Sequence, residues 1–511
     1  MFSSLTALAL LSYATPFAVA WDAQRVLSAQ HLETEASATG DNWSVREQYD
    51  STCVAGSRHF AGQINVTDDK SMFFWFVESR ESPNDRPVVI WLSGGPGASS
   101  LVGLFNEVGP CSINEHSNAT FSNHDSWTNH ANMLFIDQPV GVGLSLLQNG
   151  SKYPSNLEES SPDFTQMLKI WYGEIFPQFG KVPLYIAGES FGGRYVPRYA
   201  ADIVRQKQTW SAGPLQSIEL GGLILVNALV DSNPLSTGHY DVFCTDQPPN
   251  LVRFNETTCR AMGAAVPECE RLASICQRTL DPQVCLTAQT FCMENLEKYF
   301  YAEVEAHRLS PYDLRRNCPE PPLCGVGVDT ENNTGSPTDY VNRSGFQQEL
   351  GFRTLLDFRS INFDLNTQWA LDPRISVPTT SDLTYLLNGG VSQPRDKVDP
   401  SSVVPVLVLN GEYDVTCNQP GIIREYDNLP WHRHAAYRAE KAFRTWTWTD
   451  RAGKTHQGGV WKGTPQREKG LEFVSVKDAG HMSPADQRGA VTSIFGRWLA
   501  NGGLLRVQDL S

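Results

Sequence analysis

The 511-residue sequence has little charge, and that charge is one-sided. Charged residues make up 19%, and the formal net charge is −15. A chain this short of cations cannot neutralise a phosphate backbone, which argues against nucleic acid as a partner. No stretch is apolar for long enough to span a bilayer, so a membrane anchor is not expected. The eleven cysteines include no C-x-x-C pair, and His239 is the only histidine near their main cluster until His307, so no zinc site is expected. The glycine-rich stretch "WLSGGPGASS" (91–100) has neither a following G-K-[ST] nor the G-x-G-x-x-G pattern, so it is no phosphate cradle. Internal repeats and low-complexity tails are also lacking.

What is present is a globular balance, 41% apolar, in a chain long enough for a large core. Residues 1–20, "MFSSLTALALLSYATPFAVA", read as a secretory signal with "AVA" at the cleavage point, although its n-region has no Lys or Arg. Residues 21–511 then form a single domain. Seven N-x-[ST] sequons, at Asn42, Asn65, Asn118, Asn149, Asn255, Asn332 and Asn342, fit a glycosylated, secreted protein, with vacuole or lysosome as the alternative. Eight cysteines lie between Cys244 and Cys324, as in a disulfide-stapled insertion.

Short apolar runs recur at 88–92, 133–136, 184–187, 223–226 and 406–409. They are continuous, not alternating, which predicts strands buried on both faces of a mostly parallel sheet with helices on both sides. Ser161 and Pro162 predict a helix start, with Phe164, Met167, Leu168, Trp171 and Ile175 on one face. "FAGQINVTDDKSMFFWFVESR" predicts a hairpin at the sheet edge. From about 231 to 360 the strand–helix rhythm breaks, and this segment is expected to cover the active site.

The chemistry centres on "GESFGG" (188–193), between an apolar run and a helical segment. G-x-S-x-G in that setting is a nucleophile elbow, with Ser190 at its tip. An acid and a histidine should follow, each on a loop after a strand. "VLVLNGEYDVTCN" supplies Asp414, and "FVSVKDAGHMSPADQ" supplies His481. Asp478 and Asp486 are rival acids, closer in sequence to His481 and better suited to loop structure. The oxyanion hole is expected from the backbone N–H groups of Phe191 and of Gly95, on the early glycine loop.

"WLSGGPGASSLVGLFNEVGP", "FIDQPVGVG", "IAGESFGGRYVP", "LNGEYDVTCN" and "DAGHMSPADQ" together resemble the ordered motif blocks of the serine carboxypeptidases, a family with the α/β-hydrolase fold. The resemblance runs from about residue 45 to the C-terminus and is strongest to fungal secreted members. It implies an exopeptidase acting on peptide and protein C-termini, without metal or cofactor, as monomer or homodimer. It also implies that Ser93, Gly94, Glu107 and Glu189 bind the substrate's carboxylate, the two glutamates through a retained proton, with an acidic optimum. Family pairing implies Cys269–Cys292 around Cys276–Cys285, with Cys244–Cys259 and Cys318–Cys324 alongside, and Cys417 free. Two departures are coupled: Ala98 and Ile361 replace a pair of family cysteines, which leaves Cys53 and Cys111 to form a different bridge. Ser93 replaces the family asparagine and keeps open an acyltransferase on the same scaffold. Phe191 and Leu144 also depart from the family pattern and are expected to reshape an apolar acyl-side pocket. A partner-binding protein with an incidental active site is a third reading.

Overall fold

The computed structural model describes residues 37–505, apart from 41, 149, 210–212, 250, 325–334, 393–397, 441 and 465–467. The proposed signal and the sequons at Asn149 and Asn332 therefore lie outside the described residues.

Six parallel strands form the centre of a thirteen-stranded sheet. In spatial order they are Asn132–Ile136, Val88–Leu92, Leu184–Glu189, Leu220–Val226, Val406–Gly411 and Leu471–Val476. Their apolar runs are continuous because both faces are covered. Val88, Ile90 and Leu92 face one core with Phe164, Met167, Tyr195 and Tyr199. Val89 and Trp91 face the other, with Leu104, Phe105, Phe495 and Trp498. Antiparallel strands flank the centre on both sides.

Two local expectations change. The hairpin His59–Thr67/Lys70–Val77 is there, but it is not the edge. Trp43–Gln48 and Ser37–Gly40 add two strands outside it, and neither carries the long apolar run that would announce a strand. The helix carrying Pro162 starts at Leu157, not at Pro162. Asn156 caps it by accepting from the Glu159 N–H (3.1 Å). Ser161 lies inside the helix and donates to Asp202 Oδ2 (2.7 Å), while Pro162 is absorbed at the loss of one backbone hydrogen bond.

After Leu220–Val226 the chain leaves the sheet through helices Ser232–Cys244, Glu256–Thr279, Pro282–Cys292 and Lys298–Glu305. The disulfides Cys244–Cys259, Cys269–Cys292, Cys276–Cys285 and Cys318–Cys324 staple this excursion; Cys53–Cys111 ties the opposite end of the chain. The excursion continues past residue 360, through helices Phe363–Leu371 and Thr380–Leu387, before the sheet resumes at Val406.

Candidate active site

The C-terminal ends of the parallel strands carry the candidate residues, where an open α/β sheet places its ligands. Ser190 sits between Leu184–Glu189 and helix Gly192–Thr209 with φ +57°. A left-handed serine is strained and persists only when its surroundings hold it. Here its N–H donates to the Val226 carbonyl (3.1 Å), and its own carbonyl accepts from Gly193 (3.0 Å) and Leu229 (2.8 Å). Gly193 must lack a side chain, since a Cβ there would lie 2.6 Å from the Leu229 carbonyl oxygen.

Asp414 and His481 follow neighbouring strands and meet. His481 Nδ1 lies 2.7 Å from Asp414 Oδ2, and both side chains are almost fully buried. Asn227 Nδ2 donates to the same Oδ2 (2.9 Å), and the Cys417 N–H donates to Oδ1 (3.0 Å). The His481 N–H donates to the Tyr312 carbonyl (2.7 Å), and the Tyr312 ring lies 5.3 Å from the imidazole. The rival acids do other work. Asp478 is exposed, while Asp486 accepts from the Gly480 N–H (2.7 Å) and pairs with Arg315 and Arg316.

The glycine loop lies directly on the elbow. A Cβ on Gly94 would come within 2.5 Å of the Phe191 nitrogen, so only glycine permits this approach. Neither the Phe191 nor the Gly95 N–H is taken up by another group among the described residues. The loop is clamped from two sides. Asp137 accepts from Ser99 Oγ (2.6 Å) and from the Ser100 and Leu144 N–H groups (2.9 and 2.8 Å); burial pushes its carboxyl up to about 6. Opposite, Ala98 and Ile361 form a lone antiparallel bridge, with Ser99 N–H to the Ser360 carbonyl and Asn362 N–H to the Gly97 carbonyl, both 2.9 Å. The two positions that lack the family cysteines are thus main-chain neighbours.

Glu107 ends helix Leu101–Asn106 and Glu189 ends the strand that leads to Ser190; they are 1% and 6% exposed. Burial raises both carboxyls, and the charge of Glu107 raises Glu189 further. The two carboxyls lie close enough for each to act on the other, and two buried acids side by side cannot both ionise cheaply. No donor from elsewhere among the described residues reaches either Glu107 oxygen or Glu189 Oε1. Ser93 Oγ accepts from the Trp91 indole (3.2 Å), leaving its own proton to donate. Phe191 stands edge-on to Tyr195 (5.2 Å) and Trp369 (5.6 Å), in an aromatic wall beside Ser190. Leu144 does not join it; it packs in the core on the other face of the sheet.

Asn227, Tyr312 and Asp137 were not singled out from the sequence. Asn227 and Asp137 each stand directly after an apolar run, and that placement is a usable signal. Tyr312 comes from the insertion and has no local signal. Cys417 is buried, and burial pushes its thiol up, away from thiolate. Its sulfur lies with Asp414 and His481 atoms inside a 4.8 Å cluster, the one group with metal-like spacing among the described residues. The hydrogen bonds of Asp414 already account for that closeness.

The serine carboxypeptidase family model matches residues 50–501. Carboxypeptidase Y homolog A of Uncinocarpus reesii is 30% identical over 448 residues, 87% of this chain and 74% of its own. The homolog of Ajellomyces capsulatus is 29% identical over 446 residues, 86% and 73% of the two chains. The crystal structure of Kex1(delta)p, a prohormone-processing carboxypeptidase from Saccharomyces cerevisiae, superposes with a TM-score of 0.68 over 88% of this chain and 94% of that one. At 22% identity that likeness speaks for the α/β-hydrolase fold alone. With the family model spanning nearly the whole described chain, the protein belongs to the serine carboxypeptidase family.

Proposed function

We propose that this serine carboxypeptidase hydrolyses the C-terminal peptide bond of peptides and proteins at acidic pH, through Ser190, Asp414 and His481. Ser190 Oγ attacks the scissile carbonyl carbon as its proton passes to His481. Asp414 holds the other imidazole nitrogen and stabilises the charge that develops. The oxyanion is received by the Phe191 and Gly95 N–H groups. Collapse breaks the C–N bond, His481 returns the proton to the leaving amine, and water then releases the acyl group by the same path in reverse roles.

The observation that carries the exopeptidase reading is the buried glutamate pair beside the elbow. A carboxyl that keeps its proton donates to the substrate's terminal carboxylate; an ionised one repels it. Ser93 and Gly94 complete this end of the site. Because both carboxyls are raised, recognition is strongest in acid and is lost as pH rises through them. Retention of this pair also favours hydrolysis over the acyltransferase reading, in which a terminal carboxylate need not be held. No helix among the described residues is long and apolar enough to cross a membrane. Secretion, with vacuole or lysosome as the alternative, is supported by the N-terminal sequence and by the exposed sequons Asn42, Asn118 and Asn255, whereas the Asn342 amide donates to the Phe358 carbonyl (2.8 Å).

The test is release of the C-terminal residue from an N-blocked hydrophobic dipeptide between about pH 4 and 8, with Ser190→Ala as control. Release that fades with pH and is abolished in the variant is expected. A folded protein that reacts with a serine-directed phosphonate yet releases nothing would overturn the peptidase reading in favour of acyl transfer.

A further inference from the structure

The glycine loop that reaches the elbow cannot hold its own shape. Gly94, Gly95, Pro96, Gly97 and Ala98 offer no side-chain donor or acceptor. Gly95 and Gly97 sit at φ +103° and +101°, and glycine loses more freedom on being fixed than any other residue. Within the loop, the Ala98 N–H donates to the Gly94 carbonyl (3.1 Å). On the side of the excursion, the Ile361 bridge is joined by Asn366 Nδ2, which donates to the Pro96 carbonyl (2.9 Å). The remaining support must come from where the loop enters and leaves the sheet.

That support is Asp137. It directly follows strand Asn132–Ile136, which pairs with Val88–Leu92, the strand that leads into the loop. Its Oδ1 accepts from Ser99 Oγ (2.6 Å) and the Ser100 N–H (2.9 Å), at the loop's exit. Its Oδ2 accepts from the Leu144 N–H (2.8 Å). Ser100 Oγ donates to the Ile136 carbonyl (2.6 Å) and accepts from the Ser93 N–H (3.2 Å), at the loop's entry. Both ends of the loop therefore meet at residues 136 and 137. The carboxyl is 1% exposed, and the fit around it is close. A Cβ on Gly143 would lie 2.1 Å from Asp137 Oδ2 and 2.9 Å from Ser99 Oγ. A hydroxyl both gives and takes a hydrogen bond, so the tie to Ser99 persists whether or not the carboxyl carries a proton.

We infer that Asp137 is a positioning residue for the oxyanion hole: through Ser99 and Ser100 it fixes the Gly95 N–H where the oxyanion forms, and so sets kcat and not substrate affinity. This rests on the assignment of the Phe191 and Gly95 N–H groups to the hole. The two donors depend on different parts of the fold. The Phe191 N–H rides on the elbow, which is held by the bonds of Ser190 to Val226, Gly193 and Leu229. The Gly95 N–H rides on the loop. Loss of Asp137 therefore costs at most one donor, about 10²- to 10³-fold in kcat.

The experiment compares wild type, Asp137→Ala, Asp137→Asn and Ser99→Ala on an N-blocked dipeptide and on its C-terminal amide, with sites counted by a serine-directed phosphonate. It adds the affinity for an N-blocked amino aldehyde, whose adduct with Ser190 places an oxygen in the hole. Asp137→Ala is expected to lower kcat per site by about 100-fold on both substrates, with KM within about threefold, and to weaken the aldehyde by a similar factor. In Asp137→Asn the amide oxygen still accepts from Ser99 and Ser100, while the amide nitrogen faces the Leu144 N–H. That variant should recover part of the loss, to about 10-fold below wild type. Ser99→Ala removes one of the bonds and should cost about 3- to 10-fold in kcat. A merely structural role would lower the melting temperature and raise KM while leaving kcat per site and the aldehyde affinity alone, and that outcome overturns the proposal. So does an Asp137→Ala kcat within about threefold of wild type. Should Asp137→Ala fail to fold, Asp137→Asn and Ser99→Ala decide, and wild-type kcat in both overturns it. A wild type that neither binds the aldehyde nor releases a residue removes the underlying assignment of the hole instead, so the two failures are distinguishable.

Discussion

Asp414 and the Glu107–Glu189 pair lie within electrostatic reach of one another and are equally buried, but their surroundings differ. Both oxygens of Asp414 meet donors: Asn227, His481 and the Cys417 N–H. Three of the pair's four oxygens meet none from outside the pair. A buried carboxyl surrounded by donors is a fixed electrostatic support. A buried carboxyl with no donor to meet it and a second acid beside it ionises only at a cost, so it keeps its proton to higher pH. The difference teaches that burial alone does not assign a role to an acid. The donors around it decide whether it steadies a charge or supplies a proton.

The largest effect is expected from breaking the donor-rich corner. Asp414→Asn should lower kcat by about 10⁴-fold at every pH with little change in KM, read from initial rates on a blocked dipeptide. The next tests the donor-poor corner. Glu189→Ala should lower kcat/KM for free-carboxylate peptides by about 10- to 100-fold in acid, the worth of one hydrogen bond to a charged group. An otherwise identical substrate with an amidated C-terminus should be far less affected. A smaller effect comes from making the first corner resemble the second. Asn227→Ala withdraws one donor from Asp414 and should lower kcat by about 5- to 30-fold, equivalent to ~1–2 kcal/mol. The smallest effect is on stability. The unfolded chain releases the pair's protons near the ordinary value of 4.5, whereas the folded chain keeps them to higher pH. Stability contributed by these groups is therefore greatest in acid and falls as pH rises above about 4.5, and Asp137 acts in the same direction. Melting temperatures followed from acid to neutral pH should decline less steeply in the Glu107→Gln/Glu189→Gln variant.

Much of the fold was legible because its central strands are buried on both faces, and such strands write themselves as unbroken apolar runs. The outer strands Ser37–Gly40 and Trp43–Gln48 carry no such run and were missed. The cap at Asn156 was missed because Pro162, a strong local cue for a helix start, is here tolerated inside the helix. In the site, Ser190, Asp414 and His481 could be read from motifs that each end a strand. Tyr312 could not. It reaches His481 from the insertion, so its place in the site exists only once distant elements pack.

The bridge between Ala98 and Ile361 has a consequence for where such an enzyme can work. Backbone hydrogen bonds have no oxidised and reduced forms. The anchor of the glycine loop is therefore indifferent to the thiol balance of its surroundings, and the chain's five disulfides lie elsewhere. A mild reductant that opens the staples of the insertion leaves these main-chain bonds chemically untouched, and because Ile361 itself belongs to the excursion, they are a tie between loop and cover that needs no oxidised sulfur.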